Sequence, residues 1–293
     1  MSDRLLERLA APEVLIADGA TGTMLQQAGL PIGMPPERWV LERPEEIVKL
    51  HRAYVEAGAE IILTCTFGGT RPRLSRDGLD DRADEINRRA VELARKAAGD
   101  RAFVAGDIGP TGEMIAPLGT LSFEDVVEIF QSQAAALAEA GVDLFQIETM
   151  SALEEMRAAI EAVRRVAPDT PIFATFSFDS GGRTMMGVRP EEAAELLKSL
   201  GVTAMGANCG REVEETAAAA RAMRAVAPDV PIIVKPNAGL PRMEEGRPVY
   251  DMTPQDLAAY ARRWADEGVK VIGGCCGTTP EHIRAIRQVL RER

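Results

Sequence analysis

The chain has 293 residues, 46% of them hydrophobic and 27% charged, and 34 Lys+Arg against 45 Asp+Glu give a formal net charge of −11. An acidic chain without a basic patch has no means of releasing the counterions of a polyanion, which excludes nucleic acid and anionic membrane surfaces as partners. No apolar run reaches the ~20 residues of a membrane span, and the Met-Ser-Asp-Arg start lacks the apolar stretch of a signal peptide.

Apolar runs that read as strands follow one another at 14–17, 60–63, 102–105, 143–147, 171–177, 203–206, 231–234 and 269–272. Between them lie helical spacings of three and four, as in Ile86, Ala90, Leu93, Ala94 and Ala97, or Leu257, Tyr260, Ala261 and Trp264. The strands do not alternate polar with apolar residues, as expected of parallel strands covered on both faces. Length alone allows two domains, but eight strand–helix alternations without a linker predict one closed (β/α)8 TIM barrel over residues 1–293. Asp18-Gly19-Ala20-Thr21-Gly22-Thr23 follows the first strand, where glycines free backbone N–H groups for a small anion or simply make a tight turn. Residues 30–44 form a proline-rich excursion, a substrate cover or an inert loop. Gly109-Pro110-Thr111-Gly112, Asp179-Ser180-Gly181-Gly182-Arg183 and Lys235-Pro236-Asn237-Ala238-Gly239 end the third, fifth and seventh strands. His51 and His282 fall in predicted helices as ordinary packing or surface residues.

An internal repeat aligns the strand ends. Gly58, Gly141, Gly201 and Gly268 each close a helix and precede a strand. Seven residues beyond that glycine stand Cys65, Glu148 and Cys275; eight beyond stand Cys209 and Cys276. All four cysteines and one acid thus fall at the carboxyl ends of even-numbered strands, the barrel face that carries active sites. Four cysteines in so long a chain are too few for a disulfide scaffold and point to a reducing, cytosolic compartment.

The adjacent pair in Gly273-Gly274-Cys275-Cys276-Gly277 suits convergence on one soft cation better than a strained ring disulfide, although small buried thiols also pack as inert residues. If Cys209, Cys275 and Cys276 hold one Zn2+, a fourth tetrahedral position remains for an exchangeable ligand. Three thiolates on a dication make a poor Lewis acid for a carbonyl but keep an incoming sulfur electron-rich while removing its proton. Thiol alkylation is the reaction class these residues imply. The competing expectation is a closed four-sulfur site completed by Cys65.

Those motifs, with Glu148-Thr149, Gly206-Ala207-Asn208-Cys209, Pro236-Asn237-Ala238-Gly239 and Gly274-Cys275-Cys276-Gly277-Thr278-Thr279-Pro280, resemble the homocysteine-binding domain of homocysteine S-methyltransferases, most closely the first module of cobalamin-dependent methionine synthase. The resemblance spans nearly the whole chain and implies a (β/α)8 barrel that forms methionine from zinc-bound homocysteine. It makes Cys209, Cys275 and Cys276 the zinc ligands, and Asp18 and Glu148 the acids that hold the substrate ammonium. Backbone N–H groups around Ala20 and Thr21 would take its carboxylate, and Asn237 would stand near the metal to fill the open position before substrate arrives. One departure is Thr64-Cys65-Thr66-Phe67, where the family often has asparagine; silent packing is the expectation for Cys65.

The donor implied first is methylcobalamin on a separate corrinoid protein or chain partner, because a chain ending at Arg293 has no room for folate, cobalamin and reactivation modules. Direct transfer from S-methylmethionine or S-adenosylmethionine is the alternative within enzymes, and scarce aromatics disfavour a betaine cage. A non-catalytic zinc or thiol-binding module is the alternative of another class, and a homo-oligomer is left open.

Overall fold

The computed structural model describes residues 2–179, 181–244 and 247–292, so Ser180 of the fifth-strand motif lies outside the described residues. Eight parallel strands form the barrel: β1 Leu15–Ile16, β2 Ile61–Leu63, β3 Phe103–Ile108, β4 Leu144–Met150, β5 Ile172–Phe176, β6 Ala204–Cys209, β7 Ile232–Pro236 and β8 Val271–Ile272. Neighbours pair in sequence order from β2 to β8, and β8 returns to β1. The bridge Ala17↔Ile61 and the bond from Glu60 N–H to Ile16 O (2.7 Å) close β1 onto β2. The expected (β/α)8 fold is present.

Strands β3, β4, β6 and β7 run two to three residues beyond their expected ends. The apolar runs stop at Asp107, Glu148, Asn208 and Lys235, but the hydrogen-bonded ladder does not. Side chains alternate along a strand with period two, so the inward rows continue from apolar to polar: Phe103, Ala105, Asp107; Leu144, Gln146, Glu148; Ile233, Lys235. The amino half of the interior is therefore packed with apolar residues and the carboxyl half is a polar cup. The inner apolar cluster includes Leu15, Ile61, Leu63, Phe103, Leu144 and Phe173. It also takes in Leu5 and Leu9 of a helix not foreseen from the sequence, Ser2–Ala10, which plugs the amino end.

The strands are covered by helices Pro44–Ala57, Ala83–Ala98, Phe123–Glu139, Leu153–Val166, Pro190–Ser199, Val213–Val226, Pro254–Asp266 and Pro280–Arg291. Their starts follow local chemistry: Ser122 with Asp125 and Thr253 with Asp256 make capping boxes, and prolines occupy first-turn positions at residues 44, 190, 254 and 280. The four repeat glycines all take positive φ, as the repeat required. Two loops carry structure beyond expectation: the 30–44 excursion contains the short helix Arg38–Glu42, and an antiparallel hairpin, Arg242–Glu244 with Arg247–Val249, follows β7. Both histidines sit in helices. His51 is buried, which depresses its pKa to about 4. His282 Nδ1 meets Thr279 N–H at 3.2 Å, and its Nε2 lies 2.9 Å from Met252 O.

Candidate active site

The polar cup opens into a cavity of about 520 Å3 at the carboxyl ends of the strands, lined on its floor by Cys209, Cys275, Cys276, Glu148, Asp107 and Lys235. Cys209 is the last residue of β6, and the Cys275-Cys276 pair turns out of β8 through two glycines. Gly274 is required there, because a Cβ on it would stand 2.1 Å from Thr278 Oγ1. The sulfurs of Cys209, Cys275 and Cys276 lie within 4.8 Å of one another, with Cys209 Sγ 2.7 Å from Cys275 Sγ. Hydrogen bonds from Cys209 and Cys275 bring Cys276 down to about 3. The same bonding and burial hold Cys209 well above the usual thiol range. Cys275 is pushed up to about 12, its bond with Cys209 acting the other way but outweighed by Cys276 and burial. Cys276 is thus the sulfur that ionises most readily, and a soft dication would let all three ionise. This donor set fits zinc. Among the described residues no fourth cysteine joins the cluster: Cys65 is buried at the wall of the same cavity, and burial, with Glu37 and Asp107, raises its pKa. Cys65 thus stands apart from the three clustered sulfurs.

Two residues beside this floor have left-handed backbones although neither is glycine, Thr149 (φ 62°) and Cys209 (φ 54°). Such a conformation is strained for a β-branched residue and persists only where neighbours enforce it. Asn208 does so. Its Oδ1 accepts from Thr149 N–H (2.8 Å) and Thr175 Oγ1 (2.7 Å), and its Nδ2 donates to Thr149 Oγ1 (2.7 Å). The same Nδ2 lies 3.9 Å from Cys275 Sγ. Asn237 is bound to backbone on both sides of its amide, Oδ1 accepting from Cys276 N–H (3.0 Å) and Nδ2 donating to Gly210 O (2.8 Å). In this state it fastens the two cysteine loops together. Tyr250, beyond the hairpin, packs on Gly277 and favours the ionised form of Cys276.

Asp107, Glu148 and Lys235 line the cavity, and Asp18 is buried within electrostatic reach of Lys235 and Glu148. Lys235 Nζ meets Glu148 Oε2 at 2.9 Å, both side chains nearly inaccessible. Burial opposes the lysine's charge, but Glu148 and Asp18 keep its proton above the ordinary lysine range. Burial raises all three acids, Asp18 to about 7 despite Lys235 and the Leu63 N–H that its Oδ2 accepts (2.8 Å). Asp18 Oδ1 and Asp107 Oδ1 are buried with no hydrogen-bond partner. Unsatisfied carboxylate oxygens of this kind are what an added cation relieves. Of the two backbone groups expected to take a carboxylate, Ala20 N–H is already donated to Thr278 O (3.0 Å), because Gly19 lets the loop pack directly on that carbonyl. Thr21 stands at the start of helix Gly22–Gln27, where first-turn N–H groups have no intrahelical acceptor. Asp107, Lys235, Asn208 and Tyr250 were not among the site residues expected from sequence. Continuing the period-two rows past the apolar runs finds Asp107 and Lys235, whereas nothing local marks Tyr250.

The comparisons agree with this geometry. The family model for homocysteine S-methyltransferase matches residues 15–290. The methionine synthases of Mycobacterium leprae and Mycobacterium tuberculosis are 32% and 31% identical over 96% and 93% of this chain, which spans 24% of the length of each. The solved structure of the metallated homocysteine methyltransferase MmuM from Escherichia coli superposes with a TM-score of 0.82 at 28% identity, covering 98% of this chain and 99% of that one. A type I 3-dehydroquinate dehydratase from Clostridium difficile, 10% identical with a TM-score of 0.56, shares the fold alone. With the family model matched almost from end to end and three cysteine sulfurs gathered at the mouth of the barrel, the chain belongs to the homocysteine S-methyltransferase family of enzymes.

Proposed function

We propose that this chain makes methionine by methylating homocysteine at a zinc ion held by Cys209, Cys275 and Cys276, with the methyl group delivered by methylcobalamin on a partner protein. The observation that carries the reading is the three-sulfur cluster on the floor of an acid-walled cavity, with room beside it for a thiol. When bound, zinc supplies the acidity that removes a thiol proton near neutral pH, and a vacant position for the sulfur.

The chain's own residues do the rest. Asp18, Asp107 and Glu148 orient an α-ammonium: two of their carboxyl oxygens have no hydrogen-bond partner, and an added cation favours the ionised form that burial opposes. The N–H groups at the Thr21 helix start face the substrate carboxylate. Asn208 and Asn237 hold the cysteine backbones so that the sulfurs need no rearrangement. The deprotonated homocysteine sulfur attacks the methyl carbon. The new S–C bond forms as the bond from that carbon to the donor atom breaks, the electron pair leaves with the donor, and the thiol proton goes to solvent.

A second reading, direct transfer from S-methylmethionine or S-adenosylmethionine, is supported by the match to 99% of a solved homocysteine methyltransferase chain that is one barrel. Zinc content and zinc K-edge absorption, with and without homocysteine, test the common core. A light ligand replaced by a fourth sulfur is expected; a site with four sulfurs before homocysteine is added overturns it and favours a non-catalytic zinc module. Cys209→Ser should lose zinc and activity together, and an active metal-free variant refutes the ligand assignment.

A further inference from the structure

The cavity continues past the acids to a second wall, built from the segment after β2 with Arg73, Arg76 and Asp77 and backed by the turn after β3, that the transfer steps above leave unused. Gly109-Pro110-Thr111-Gly112 turns there, pinned by Glu155 Oε1, which accepts from Thr111 N–H (2.9 Å) and Thr111 Oγ1 (2.7 Å). Two arginines reach this turn from the segment after β2. Arg73 Nη1 lies 3.5 Å from Pro110 O, and Arg76 Nη2 lies 3.1 Å from Gly112 O. A Cβ on Gly112 would stand 3.1 Å from Arg76 Nη2 and 3.5 Å from Arg73 Nη1, so the two guanidinium groups close on one point, and glycine leaves that point open.

Like charges brought together at a cavity wall are unfavourable unless an anion joins them. The other cations of this wall have acids: Lys235 has Glu148, and Arg76 has Glu113 at 3.1 Å in an exposed, weak pair. Among the described residues Arg73 has no carboxylate within 4.0 Å. It lies over the Phe67 ring at 5.5 Å with one long carbonyl contact from Nη1, while its Nε and Glu37 Oε1 stand 3.4 and 3.1 Å from the point a Cβ on Gly68 would take, so the Nη2 edge of its fork is the part without a partner. Glu37 and Glu155 feel its charge, but each gives its Oε1 to backbone N–H groups, of Gly68 and Thr111. In an eight-stranded barrel β2 and β3 lie across the mouth from β6 and β7, so this wall faces Cys209 over the space a second substrate would fill.

We propose that Arg73 and Arg76, converging over Gly112, bind an oxyanion of the methyl donor, a carboxylate or a phosphate, and so orient its methyl group toward the cysteines. This rests on the methyl-transfer reading above. The test is Arg73→Gln, with Arg73→Lys to separate charge from fork geometry, assayed on two donor pairs that differ by the anion: S-methylmethionine against trimethylsulfonium, and methylcobalamin against methylcobinamide, which lacks the nucleotide phosphate. Wild type should prefer the anionic member of the productive pair. Arg73→Gln should raise the KM for that member roughly 10- to 100-fold, the range for a lost charge-assisted pair, leave the other member and the homocysteine KM unchanged, and unfold at the wild-type midpoint. The productive pair identifies the source of the anion. Equal losses on both members, or a loss confined to homocysteine, overturns the subsite. If wild type makes no methionine from any donor, the transfer reading fails and calorimetry decides the subsite: Arg73-dependent binding of S-methylmethionine or methylcobalamin sustains it, and no binding removes it.

Discussion

Lys235→Met is the perturbation that interrogates the acid wall most directly. Methionine matches the lysine stem but removes the one cation facing Asp18, Asp107 and Glu148. The Lys235–Glu148 pair is 2.9 Å long, with side chains 3% and 8% exposed, so little water is available to replace the lost partner. Breaking such a pair from one side costs about 3–5 kcal/mol. The cost depends on pH with a definite sign. In the variant Glu148 folds most easily as the neutral acid, because burial already raises its pKa above that of the unfolded chain. Below the unfolded value near 4.3 both states are protonated and the penalty is small; above it folding requires proton uptake, and the penalty grows with pH until the full cost is reached. Urea unfolding at pH 5 and pH 8 measures this. Homocysteine should raise the unfolding midpoint of the variant more than that of wild type, because its ammonium restores the missing charge. A variant equally destabilised at both pH values, or as stable as wild type at pH 8, refutes the reasoning.

Two further outcomes follow from the same wall and floor. Asn208→Ala removes bonds to Thr149 N–H, Thr149 Oγ1 and Thr175 Oγ1. It should lose about 2–4 kcal/mol in chemical unfolding, and its zinc affinity, measured by chelator competition, should fall roughly 10- to 100-fold; unchanged affinity would show that Asn208 does not position the cysteines. For Asp18, a folded-state pKa of about 7 against 3.8 means that the native state holds the proton between those values. Wild-type stability should fall as pH rises through that window, by at most about 4 kcal/mol at 1.36 kcal/mol per unit. Asp18→Asn keeps the acceptor for Leu63 N–H and should flatten that fall; parallel pH profiles for variant and wild type count against the assignment.

Much of the fold was legible because parallel barrel strands are buried on both faces and so read as apolar runs, and because each even-numbered unit repeats a helix-ending glycine seven or eight residues before a cysteine or glutamate. The same count brought Cys65, Glu148, Cys209, Cys275 and Cys276 to one face. It failed where burial and polarity coincide: Asp107 and Lys235 continue their strands into the cup, but a hydropathy reading ends each strand at its first polar residue. The Ser2–Ala10 plug was missed because a short amphipathic helix at the chain start has no repeat to mark it.

By itself, then, the sequence determined the barrel, the face that carries the chemistry and the soft-donor character of three cysteines, since these follow from periodicity and residue type along the chain. Only the tertiary structure decided which side chains meet. It separated Cys65 from the other three thiols, gave Asn237 to the backbone of the cysteine loops, paired Lys235 with Glu148 and left oxygens of Asp18 and Asp107 without partners. It also brought Arg73 and Arg76 over Gly112. Those outcomes depend on how strands and loops far apart in sequence converge around one cavity, and a hydrogen bond or an ion pair is settled over a few tenths of an ångström that no spacing along the chain specifies.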